Sequence, residues 1–116
     1  MQATNETTSE RLTRTLQAHG LTVRVLVSHI YDENRLIVDI DGGAEIRIAD
    51  SHGQIDGRAD QHCGWVAFHR PHGERSDKGE TCIYESRDRR PSFERDTAAL
   101  VSAVVQCAAA NRLAPA

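Results

Sequence analysis

Aromatic residues make up 4% of this 116-residue chain, lysine occurs once, at Lys78, and proline three times. Each shortage excludes something. With one tryptophan, two tyrosines and two phenylalanines, the core has to be assembled from Val, Ile, Leu and Ala. The longest apolar-leaning run, residues 21–31, is interrupted by Arg24, Ser28 and His29. That is far short of the ~20 residues a membrane-spanning helix needs. The opening MQATNETTSE lacks the apolar segment of a secretory signal, so a cytoplasmic protein is expected. A net charge of −3 is wrong for a general phosphate-backbone binder, and neither nucleic acid nor membrane is expected as a partner. There is no Gly-rich phosphate loop, no paired-carboxylate motif and no cofactor motif. Three cysteines, an odd number, read as reduced thiols.

What is there is periodic. Residues 1–7 read as a disordered tail, and 8–113 as a single α+β domain. Thr7-x-x-Glu10 has the form of a capping box. It predicts a short helix with Leu12 and Leu16 on one face and Gly20 as its stop. The period then drops to two. Leu21, Val23, Val25 and Val27 alternate with more polar neighbours, and after a turn at residues 32–34 so do Leu36, Val38 and Ile40. Asp41-Gly42-Gly43 is a hairpin signal. A three-residue loop, with Gly43 left-handed, pairs Ile40 with Ala44, Val38 with Ile46 and Leu36 with Ile48, which keeps every apolar side chain on one face. Residues 64–70 and 81–86 read as two further strands. Ser92 caps a last helix whose buried stripe is Phe93, Leu100, Val101, Val104, Cys107 and Ala108, with Glu94 and Asp96 favourable in its first turn.

The expected fold is therefore helix, five-stranded antiparallel meander, helix, with both helices packed on one face of the sheet. Val23, Val25, Val27, Leu36, Val38, Ile40, Ile46, Ile48, Trp65 and Ala67 would face the helices. The other face mixes Asp39, Glu45 and Glu85 with Arg24, Leu26, Ile37, Arg47, Val66, Phe68 and Ile83. From it Arg24, Leu26, Ile37, Arg47 and Phe68 are taken as a candidate partner surface.

The stretch HCGWVAFHRPH, residues 62–72, holds three histidines, a cysteine and the tryptophan. As one strand it would put Cys63 and His69 about 20 Å apart at ~3.3 Å per residue, too far for one metal ion. Pairing across the 71–79 loop would set Trp65 opposite Tyr84 and Ala67 opposite Cys82. His69, His72 and Cys82 then form the one neighbourhood that could hold a metal, with a fourth ligand such as His52. The same register separates Cys63 from Cys82 by roughly 13 Å, against about 5.5 Å for a disulfide. Asp50-Ser51-His52 are triad-type residues in sequence, but a triad is a spatial arrangement and a turn is the simpler reading.

The helix ending in AHG, the GWVAF strand and the last helix FERDTAALVSAVVQ resemble small uncharacterised actinobacterial proteins, and the heavy use of Arg and Ala fits a GC-rich genome. The resemblance implies a fold and an origin, and no catalytic residue. In topology the chain also resembles secretion-chaperone-like modules, which dimerise and bind protein segments, although those carry a helix where residues 50–62 stand here. The expectation is a non-enzymatic protein-binding or regulatory accessory module, with a protein partner or self-association and no cofactor. The alternative is a metal-binding protein or small enzyme using His69, His72 and Cys82.

Overall fold

A computed structural model describes residues 7–28, 33–50, 62–87 and 92–111, together with Ile55 and Arg58. It contains α1 (Thr8–Ala18), β1 (Thr22–Ser28), β2 (Glu33–Asp39), β3 (Glu45–Asp50), β4 (Trp65–Arg70), β5 (Thr81–Glu85) and α2 (Phe93–Ala110). The five strands form one antiparallel sheet in the order β1-β2-β3-β4-β5. The domain is α+β: α2 lies over β4 and β5, while α1 packs on β1 and on α2. No helix among the described residues is long and apolar enough to cross a membrane.

The helix ends follow from local chemistry. Thr7 and Glu10 form the reciprocal capping box: the Glu10 N–H donates to Thr7 Oγ1 and the Thr7 N–H to Glu10 Oε1. At the other end the Leu21 N–H reaches the Leu16 carbonyl and the Gly20 N–H the Gln17 carbonyl, with Gly20 at φ +80°. Those two bonds are a Schellman motif, and only glycine takes that φ without strain. Ser92 caps α2 by accepting from the Arg95 N–H.

The β2–β3 hairpin has the expected register. The Ile40 N–H donates to the Ala44 carbonyl at 2.9 Å, Leu36 pairs with Ile48 and Val38 with Ile46, and Gly43 has φ +87°. Leu12, Leu16, Leu36, Val38, Ile46, Ile48, Trp65, Ala67, Leu100 and Val104 fill the core between helices and sheet, each without exposed surface.

Four expectations need correction. Glu33 and Asn34 are not turn residues: they extend β2 and pair with Ser28 and Val27, and Asp32, the remaining residue of the expected turn, lies outside the described residues. In β5, Tyr84 pairs with Ala67 rather than Trp65, and Cys82 with Phe68 rather than Ala67. A bulge between these pairs leaves Ile83 as an extra residue, so the consecutive Ile83 and Tyr84 both pack against the core. Ile83 was expected on the opposite face. Finally, Val25 and Val27 are not covered by the helices: α1 is eleven residues long with two buried leucines, and it leaves these valines 56% and 51% exposed. Residues 1–6 of the expected tail, His52 and the linker 88–91 lie outside the described residues.

Candidate functional site

The first candidate neighbourhood does not converge. Cross-strand partners share a face, so Cys82 lies on the side of Phe68, while His69, opposite Ile46 and Thr81, lies on the helix side. His72 is exposed at the start of the 3-10 turn Gly73–Arg75. Among the described residues no three His, Cys, Asp or Glu side chains are grouped to hold a metal ion. None of Cys63, Cys82 and Cys107 is in a disulfide. Burial pushes the Cys107 thiol above its ordinary pKa, partly offset by a hydrogen bond from Asn111.

A different polar cluster lies in the core. Asp96, in the first turn of α2, is 5% exposed and carries three hydrogen bonds. Trp65 N–H donates to Oδ2 at 2.8 Å, His62 Nε2–H donates to the same oxygen at 2.7 Å, and the Tyr84 hydroxyl donates to Oδ1. The carboxylate accepts only, which fixes the His62 proton on Nε2. The imidazole lies between the rings of Trp65 and Phe93, with centroids 5.0 and 5.3 Å away. One residue on, Thr97 Oγ1 accepts from the indole N–H of Trp65 at 2.9 Å. The β5 bulge is what delivers Tyr84 to this face. One carboxylate thus ties α2 to β4, to β5 and to the segment entering β4. Sequence reading missed the cluster, yet a signal existed: Asp96 and Thr97 sit on the stripe Phe93–Leu100–Val101–Val104, where a carboxylate stays only if it has donors.

The residues taken as a partner surface lie together on the outer face. Arg24, Ile37, Arg47 and Phe68 form one cross-strand row, and Leu26 stands beside it, opposite Arg35. Ile37 has no exposed surface. Arg24 reaches over it: its Nε bonds both Asp39 oxygens at 3.0 and 3.2 Å, Nη2 meets Glu45 at 3.4 Å, and Nη1 meets Glu74 at 3.2 Å. The hydrogen bond to Asp39 chiefly, with the neighbouring carboxylates, raises the Arg24 pKa further. Arg47 Nε also donates to Glu45. Asp39 and Glu45 are directly opposite each other on β2 and β3, a repulsive pairing that the two guanidinium groups offset.

Two open features remain. A groove of about 600 Å³ runs between α1 and α2, floored by Phe93, Val101 and Val105 and rimmed by Arg11 and His19. The Asp96 cluster does not open into it: His62, Asp96 and Tyr84 are absent from its lining. The second feature is β1. It is an edge strand, paired among the described residues with β2 alone, and it carries Val25 and Val27, the large apolar side chains most exposed to solvent among those residues.

The two sheet edges are built differently. β5 is five residues long, bulged at Ile83 and charged at Glu85. Those are the devices by which proteins keep an edge from accepting another strand. β1 has seven residues, all in register with β2, no proline and no bulge. Its single charge, Arg24, is drawn inward over Ile37 toward β2 and β3.

No protein-family model matches the chain, and neither a curated protein nor a solved structure was found similar to it.

Proposed function

We propose that this domain is a non-enzymatic, cytoplasmic protein-binding module that takes up another polypeptide along β1. The observation that carries this reading is the unguarded edge: a seven-residue strand that among the described residues pairs with β2 alone, with two half-exposed valines on the helix side. Strand addition draws affinity from the main-chain hydrogen bonds of such an edge and selectivity from its alternate side chains. The polar clusters support a binding role over catalysis. Asp96 is held by Trp65, His62 and Tyr84, and Arg24 by Asp39, Glu45 and Glu74. Both hold elements together and face no groove described above.

A photo-crosslinking side chain placed at Val27, in the native cell, tests this. A discrete adduct is expected there, and none from the same group at Ala99 on the exposed side of α2. Adding Val25→Lys to the Val27 variant should abolish the adduct. No adduct, or the same adducts from both positions, would overturn the reading.

A further inference from the structure

We infer that the strand taken up by β1 is the β1 of a second copy of this chain, in an antiparallel pair whose two-fold axis passes through Val25. This rests on the reading of β1 as a binding edge. The argument is the symmetry of the strand itself. β1 reads Thr22-Val23-Arg24-Val25-Leu26-Val27-Ser28. Folded onto itself about Val25, it sets Val25 against its own copy, Val23 against Val27, Arg24 against Leu26 and Thr22 against Ser28.

Every one of these pairings is compatible. The helix-side row becomes six valines from two chains, burying Val25 and Val27, and β-branched pairs directly across are favourable. The outer row sets an arginine stem against a leucine, an arrangement in which the aliphatic part of Arg packs while its head stays ion-paired. The two Arg24 groups fall on a diagonal, each already neutralised by Asp39, Glu45 and Glu74 within its own chain. An isologous contact demands this self-complementarity. Sliding one strand by a single residue would set valines against the outer row and lose it, and sliding it by two keeps the faces but pairs five residues of the strand in place of seven. The product is a continuous ten-stranded sheet with the bulged β5 at both outer ends, which are the guarded edges.

The measurement is mass by light scattering over roughly 1 to 500 µM, the range in which a small interface of this class associates. The wild-type mass should climb toward twice the 12.8 kDa of the chain. Val25→Lys, which confronts two ammonium groups at the axis, should hold the mass at one chain throughout, with the denaturation midpoint of the wild type in dilute solution, where both are monomers. Register is read separately in a Cys82→Ser background. Oxidised Val25→Cys should cross-link as a dimer, because directly opposed strand residues lie within disulfide reach, and Val27→Cys should not. A wild-type mass fixed at one chain, a dimer that survives Val25→Lys, or equal cross-linking at 25 and 27 would each overturn the inference. If the mass stays at one chain while the Val27 photo-adduct contains a different protein, the binding reading stands and only the self-pairing falls.

Discussion

Asp96 Oδ2 accepts the main-chain N–H of Trp65 at 2.8 Å, a helix side chain completing the backbone of the strand beneath it. The same carboxylate holds His62 and Tyr84. Replacing Asp96 with alanine removes the shared acceptor of the buried Trp65 N–H, the buried His62 imidazole and the partly buried Tyr84 hydroxyl, and is expected to cost about 3–5 kcal/mol, the scale for breaking a buried charged network. Tyr84→Phe removes one donor and leaves the other two in place, for about 1–2 kcal/mol. Urea denaturation gives both numbers from the midpoint, with the slope unchanged. Equal small losses in the two variants would mean that Asp96 is not the hub.

Glycine positions separate steric from conformational cost. Gly73 has φ +59°, and a Cβ there would lie 2.3 Å from the Gly43 carbonyl oxygen. Gly20 has φ +80°, with nothing within 4 Å of its would-be Cβ. Gly20→Ala should therefore cost about 1 kcal/mol, and Gly73→Ala clearly more, about 2–3 kcal/mol, because the 3-10 turn must also move off the β2–β3 hairpin. Paired thermal melts of the two variants rank them, and a milder effect at Gly73 would contradict the contact.

Hydrogen bonds from the backbone and then the side chain of Thr7 lower the Glu10 pKa below its ordinary value. A depressed folded-state pKa means the contribution is complete above the unfolded value and fades as pH falls through the folded one. Helicity at α1 should thus weaken only on acidification below the ordinary carboxylate range, and Glu10→Gln should remove that pH dependence. Circular dichroism from neutral to acid pH reads the difference. Thr7→Ala should cost about 1 kcal/mol at neutral pH.

Much of this fold is legible in the sequence because its signals are local or strictly periodic. The capping box at Thr7 and Glu10, Gly20 as the helix stop and the register of the 41–43 hairpin each follow from a few adjacent residues. The β4–β5 register was not legible. A bulge leaves no mark on an apolar pattern as short as Thr81–Glu85, and its cause is remote: Tyr84 meets Asp96 twelve positions away. The exposure of Val25 and Val27 was hidden for a related reason. Alternation says which face a residue takes, and it does not say how far a two-leucine helix extends over that face.

Thiol chemistry separates the cysteines. Cys82 is exposed on β5, whereas Cys107 is partly buried with its pKa raised by burial. Iodoacetamide near neutral pH should label Cys82 well before Cys107, which should react fully only on unfolding. Mass spectrometry of time points gives the order, and early labelling of Cys107 would contradict its packing against the core.

Amide hydrogen exchange along β1, followed as the protein is concentrated, bears most directly on the claim that this edge pairs with its own copy. The alternate amides of residues 22–28 that point away from β2 should gain protection with concentration, while those of β3, already paired on both sides, should not change. Val25→Lys should erase the gain. Exchange across β1 that is the same in dilute and concentrated protein would contradict the account.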